Sequence, residues 1–401
     1  MKKLTEKYAT WLNVRAYNQM KRSYRKNKGA LRDRANLAQW GRSGKIKFFK
    51  YVQIWQGGEP ELAICVERPV LPPAHLCFRE NGEETTAFFD MIRRSFFYTP
   101  VDEQYFIFRP KSPSKLPRVA GYSDFAQIHQ ISTSAAVVLA ADYERIAVLN
   151  GEVPPTIELH TWTDAVFSRL FQLGFFEAVG HVAERDELLK ETENSLTMQV
   201  ISSRNADDLR EASRALEDLG RFLDPEHSIP EAVLIPFITG LSEAMTNVTQ
   251  HAYPDNHEFE FEQIGKFWIA ATANRVNQTL TVVFYDQGVS IPVTYPKLAT
   301  VGWVIKYLRR ALRQDQDKEF DYQNDGTYIR AALKYGSSQT KEPHRGKGLP
   351  QMRELIRTLG KGSLHIRSRG GWCNCDAKGR IKSGSSVNSI GGTLIEWRVE
   401  L

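Results

Sequence analysis

Glu243, Asn247 and His251 recur every four residues and so share one ridge of a helix, away from its apolar stripe. A carboxamide one turn from a carboxylate suits a nucleotide site. The amide oxygen can ligate Mg²⁺, and the carboxylate can take a proton from an attacking nucleophile. A solvated helix face has the same pattern, so the ridge gains meaning only from its companions. Downstream, Asp286-Gln287-Gly288 ends an alternating apolar run. An aspartate at a strand end can accept a hydrogen bond from an adenine amino group, and a glycine beside it lets the backbone approach the base. Asp-X-Gly is also a common turn. Farther on, Arg345-Gly346-Lys347-Gly348-Leu349 opens a helix. Glycines feeding a helix N-terminus present N–H groups and a positive dipole end to phosphates, and Arg345 and Lys347 add charge. No Gly-X4-Gly-Lys-Ser/Thr occurs, so this is not a P-loop.

The elements that must hold these groups follow from periodicity. Leu209, Ala212, Leu216, Leu219 and Leu223 step by three and four and predict a helix from Asn205 onward. A second helix follows Pro230, with Leu234, Ile238, Leu241, Met245, Val248 and Ala252 as its stripe; Pro236 must kink it or sit in its first turn. Phe267 to Ala273 and Gln278 to Tyr285 read as two strands. Helices are expected over Val301 to Arg313 and Gly326 to Tyr335. A polar loop, Ser337 to His344, then precedes the glycine-led helix, which Gly360 closes. Leu364 to Arg369 and Gly391 to Val399 read as final strands, with a Gly-Gly and Cys-Asn-Cys hairpin between them. This order makes an α/β sandwich.

In order along the chain, Glu243-X3-Asn247-X3-His251, Asp286-X-Gly288, Gly346-X-Gly348-Leu349 and Gly392-Thr393 resemble the N, G1, G2 and final-strand motifs of the GHKL superfamily of ATPases. The run from Glu243 to His251 is most similar to the anti-sigma-factor serine kinases. This resemblance implies a Bergerat-type α/β (α+β) sandwich over residues 202–401, with ATP and Mg²⁺ as its ligands. By the same resemblance Asn247 would bind the metal, Glu243 would be the general base, and His251 would belong to the ATP site. Asp286, Gly288 and Thr393 would meet adenine. Arg345, Gly346, Lys347, Gly348 and Leu349 would meet the phosphates, and Ser337 to Arg345 would form the lid. Ser290 stands where the family has its second G1 glycine.

Upstream, Tyr105 to Phe108 and Ile128 to Ile131 read as short strands. A buried helix is expected over Thr133 to Arg145, capped by Ser132, Thr133 or Ser134. Ile157 to Leu159 reads as a strand, and Thr163 to Leu173 as a helix stopped by Gly174. This alternation, over Pro72 to Gly180, resembles the STAS-like domains related to anti-anti-sigma factors. In that family a hydroxyl at the start of such a helix can be phosphorylated, which makes Thr133 or Ser134 a candidate phospho-acceptor; a plain helix cap is the other reading. The chain thus divides into a basic N-terminal region (1–70), a STAS-like domain (71–183), a charged linker (184–201) and the ATP-binding domain (202–401).

A chain of 401 residues exceeds one ordinary core, and 42% hydrophobic with 25% charged residues is a globular composition. No apolar run reaches the roughly 20 residues a membrane span needs, and no signal-peptide pattern opens the sequence, so a cytosolic protein is expected. Cys373 and Cys375 are either half of a zinc site or a hairpin tip. The net charge of +6 concentrates in Lys2 to Lys50, where aromatic residues interleave; this suits nucleic acid or a solvated basic face. The expected function is that of an ATP-binding regulatory protein, a Mg²⁺-dependent ATPase or a serine/threonine kinase acting on a STAS-like domain in cis or in trans. The alternative is a non-catalytic, ATP-gated module that binds protein or nucleic acid. Expected partners are ATP, another protein, nucleic acid through the N-terminal region and a second copy of the chain, with no membrane.

Overall fold

A computed structural model describes residues 50–55, 60–97, 107–110, 112, 115–119, 122–152, 154–178, 194–205, 208–227, 229–297, 322–335 and 348–400. The architecture is mixed α/β. The N-terminal part comprises β1 (Lys50–Trp55), β2 (Glu61–Cys65), β3 (His75–Leu76), α1 (Gly82–Phe97), β4 (Ile107–Phe108), β5 (Arg118–Val119) and β6 (Gln130–Ile131). It continues through α2 (Thr133–Asn150), β7 (Thr156–Ile157), α3 (Asp164–Gln172) and the single turn α4 (Phe175–Ala178). The C-terminal part runs β8 (Ser195–Thr197), β9 (Ile201–Ser203), α5 (Leu209–Leu223), α6 (Glu231–Asn247), β10 (Phe267–Asn274) and β11 (Thr279–Asp286). Then follow α7 (Ile291–Thr294), α8 (Asp325–Tyr335), α9 (Gly348–Leu359), β12 (Ser363–Ser368), β13 (Gly371–Asp376), β14 (Ile381–Ser385) and β15 (Thr393–Glu400).

The main sheet has the order β14-β13-β12-β15-β11-β10-β8, with β9 also on β10. Side chains alternate across it. Leu280, Val282 and Phe284 of β11 meet Val399, Trp397 and Ile395 of β15 on the near face. There α5, α6 and α9 cover them: the Trp397 indole N–H donates to Met352 O at 3.2 Å, and Phe237 packs edge-on to the same ring. The far face belongs to α1, α2 and α3. The Trp268 indole N–H donates to Glu144 there at 2.7 Å, and Arg367 donates to Phe78 O and to Thr86. Sheet strands buried on both faces read as almost unbroken apolar runs, as β10 does.

A single hydrophobic core therefore runs from Trp55 to Val399, and the helices of the span read from sequence as a STAS-like domain form one wall of it. A smaller sheet, β4-β5-β2-β1-β7, has its own core of Val52, Ile54, Ala63, Cys65, Ile107, Val119 and Ile157. Within the span read as a linker, β8 pairs with β10, because the edge of β10 offers backbone groups that a polar segment can satisfy as well as an apolar one. Residues 1–49, the helix expected over 301–313 and the lid expected over 337–345 lie outside the described residues.

Three sequence expectations take definite form. Ser132 caps α2, accepting from Ala135 N–H at 3.2 Å, and Thr133 and Ser134 are helical and buried. The Thr133 hydroxyl donates to Thr272 on β10 at 2.8 Å and accepts from Arg169 at 2.8 Å. A phosphate on Thr133 would break its bonds to Thr272 and Arg169, and Ser134 is wholly out of solvent, which counts against both as acceptors. Pro236 lies inside α6 beyond its first turn; the carbonyl it leaves without an N–H partner is that of Ala232, on the exposed first turn. Cys373 and Cys375 lie along β13 rather than at a hairpin tip, and burial pushes the Cys373 thiol up to about 12, far from the thiolate a metal requires.

Because Trp397 fills the space between the sheet and two helices, Trp397→Ala should cost about 3–5 kcal/mol of unfolding free energy. Urea denaturation followed by circular dichroism measures it.

Candidate functional site

On α6, Glu243 is half-buried, and Asn247, its last residue, is exposed. The helix then widens into a π turn over Val248–Ala252, so exposed His251 swings away from the straight ridge that four-residue spacing predicts. This turn ends against the Asp286-Gly288 segment, where Val289 N–H donates to Ala252 O at 2.7 Å. A Cβ on Gly288 would fall 2.5 Å from both the Ala252 methyl and its carbonyl oxygen. Close packing against Ala252 is by itself a reason for a glycine here.

Asp286 ends β11, Thr393 begins β15 and Ser368 ends β12. The register sets Asp286 opposite Thr393, and Thr393 opposite Ser368. Directly opposed residues in antiparallel strands project to the same face, so three polar groups form one row on the near face. Ser368 Oγ lies 2.9 Å from Thr393 Oγ1 and accepts from Ile291 N–H at 2.9 Å. Among the described residues, the carboxylate of Asp286 has a single hydrogen bond, from Gly288 N–H at 2.9 Å. Burial raises Asp286 to about 7, against that lone N–H. The group therefore keeps acceptor capacity for a donor from outside the chain.

Glycine is indispensable beside this row at Gly392, whose φ is +154° and whose Cβ would strike Asp286 O at 1.9 Å. Ser290 needs no such freedom. It stands at the N-cap position of α7 at φ −73°, and its hydroxyl donates to Gly392 O at 3.2 Å, tying the two segments together. Tyr253 adds a further tie, donating to Lys266 O and accepting from Gln287 N–H.

Gly348 opens the twelve-residue helix α9, and Leu349 is half-buried against the core. Arg345, Gly346 and Lys347 lie outside the described residues. Among the described residues no group of three or more His, Cys, Asp or Glu is arranged to hold a metal. Asn247 offers a carboxamide oxygen on an exposed turn, which suits a magnesium ion that takes its remaining ligands from phosphate and water.

No protein-family model matches the chain, and no curated protein matches it. The fold brings together Asp286, Gly288 and Thr393, which sequence reading had singled out, with Ser368, Gln287 and Tyr253, which it had not. Ser368 had no local signal, since nothing in the strand Ser363–Ser368 marks its last residue as the neighbour of a threonine 25 positions away.

Asp286 yields a pH dependence of stability. Its folded value of about 7 exceeds the ordinary aspartate value of about 3.9, so the folded chain holds the proton more tightly. Its contribution is full below about pH 4 and is lost as the pH rises through about 7. Urea midpoints measured across that window should fall less steeply for Asp286→Asn than for the wild-type chain.

Proposed function

We propose that this chain is an ATP-binding regulatory protein of the GHKL type, in which Mg²⁺-ATP occupies the near face of the main sheet. The observation that carries this reading is the row Asp286, Thr393 and Ser368, with Gly288 packed beneath the end of α6. Adenine offers an amino donor beside a ring-nitrogen acceptor. Asp286 accepts from the amino group, and the Thr393 hydroxyl, oriented by Ser368, donates to the ring nitrogen. Guanine offers a carbonyl and an N–H there, the reverse pair, so the row favours ATP over GTP.

The same helix that abuts the base row carries Asn247 and Glu243, as metal ligand and as general base to water. The N-terminus of α9 supplies N–H groups for phosphate. Bound Mg²⁺ would neutralise phosphate charge as it develops during transfer. Burial of Thr133 and Ser134 favours hydrolysis or nucleotide gating over phosphotransfer to the chain's own residues. A second reading, a non-catalytic ATP-gated module, uses the same pocket without turnover by Glu243.

Calorimetric titration of the full chain with Mg²⁺-ATP, ADP and GTP, alongside phosphate release, tests both readings. ATP should bind at least about tenfold more tightly than GTP, and Asp286→Ala should remove most of that preference. Glu243→Ala should keep ATP binding and slow hydrolysis by about 10²–10⁴-fold. Binding without turnover in wild type would favour the gated module. A chain that binds no ATP ends the proposal.

A further inference from the structure

Three charged side chains lie wholly out of water on the far face of the sheet. Arg93 on α1 is 0% exposed, Asp142 on α2 is 1% exposed, and Arg145, one turn further along α2, is 0% exposed. Arg93 donates to Asp142 Oδ2 at 3.0 Å, and Arg145 donates to Oδ1 at 3.3 Å. Burial works against the charge on Arg93, but attraction from Asp142 outweighs it and leaves the guanidinium raised. Ion pairs taken out of water return little net stability, because desolvation offsets the attraction. A network of this kind therefore calls for another role, and its outward contacts supply one.

Gln287 Nε2 donates to Asp142 Oδ1 at 3.0 Å, and Arg93 Nη2 donates to Ser389 O at 2.7 Å. Gln287 lies between Asp286 and Gly288. Ser389 leads through Gly391 and Gly392 to Thr393. Arg93 also abuts Gly391, where an added Cβ would come within 3.1 Å of its Nε. Tyr285, the neighbour of Asp286 on β11, donates its hydroxyl to Ile390 O at 3.0 Å and joins the same two segments. One buried ion group thus grips, from behind, the two stretches of chain that carry Asp286 and Thr393.

We infer that Arg93, Asp142 and Gln287 are positioning residues for the base pocket, and that through them the α1–α2 layer sets nucleotide affinity from the opposite face of the sheet. This rests on the ATP-binding reading above. A displacement of either helix moves Gln287 and Ser389, and Asp286 and Thr393 move with them. The coupling is reciprocal: nucleotide in the pocket holds α1 and α2 on the sheet by the factor with which those helices favour nucleotide.

A neighbour on α2 provides the control. Glu144 bonds Trp268, Ser202 and Lys266 on the same face, and among the described residues its hydrogen bonds reach neither base-facing segment. Calorimetric ATP titrations and melting temperatures are to be measured on the full chain as wild type, Asp142→Asn, Gln287→Met and Glu144→Gln. Asp142→Asn and Gln287→Met should weaken ATP binding about fivefold or more, within the usual range of coupling between sites. Glu144→Gln should bind as wild type even where it melts lower. Gln287→Met leaves both ion pairs in place, so it carries the test if Asp142→Asn does not fold. In wild type, ATP should also slow amide exchange over residues 82–97 and 133–150, and in Gln287→Met it should not. Unchanged affinity in Gln287→Met, or equal losses in Glu144→Gln, overturns the inference while leaving the ATP reading intact. A wild-type chain that binds no ATP overturns the reading itself.

Discussion

The antiparallel register between β11 and β15 is the constraint on which the candidate site depends. It runs unbroken from Thr279 opposite Glu400 to Asp286 opposite Thr393. Strand side chains alternate, so a slip of one residue would send Thr393 to the far face and Trp397 out of the near core. The register is held from both sides. Trp397 and Val282 share the near face beneath α6 and α9, and Glu396 is engaged on the far face by Arg79. At the end of the ladder, Gly392 lets the chain pass within reach of Asp286 O, where any side chain would collide.

Coverage of both faces explains much of the polar chemistry inside the molecule. Helices laid on a sheet can slide and rotate on purely apolar contacts, and buried hydrogen bonds remove that freedom because a misplaced partner is left unsatisfied. On the far face, Thr133, Thr272, Thr197 and Arg169 form one hydroxyl and guanidinium network that fixes the start of α2. Glu144 fixes its middle through Trp268 and Lys266, where hydrogen bonds offset burial and hold the carboxylate below its ordinary range. The hydroxyl that local sequence offers as an acceptor for phosphate is thereby used to hold a helix on a strand.

Small residues near the row of Asp286, Thr393 and Ser368 serve packing at positions that motif matching assigns to ligand contact. Gly288 makes room for Ala252 in the π turn after α6, and Gly392 makes room for the carbonyl of Asp286. Ser290, a departure from the resembled pattern, has an unstrained backbone and contributes a hydrogen bond to Gly392. A substituted glycine weakens a site only where the backbone needs positive φ or a neighbour needs the volume, and neither holds at Ser290.

The sequence by itself determined the local elements. The stripes on α5 and α6, the stop at Gly174, the helix beginning after Ser132 and the aspartate closing β11 are all written in neighbours a few residues apart, where helix and strand periods act. Boundaries blurred where the chain departs from regular geometry, as at the π turn that displaces His251. Tertiary structure alone decided that Thr393 lies opposite Asp286, that Ser368 adjoins it, that α1, α2 and α3 wall the core of the C-terminal sheet, and that Arg93 and Asp142 stand behind this polar row. Those arrangements depend on pairing and burial between segments distant along the chain. No local period encodes such pairing, because it is selected only when every strand and helix competes for the same core.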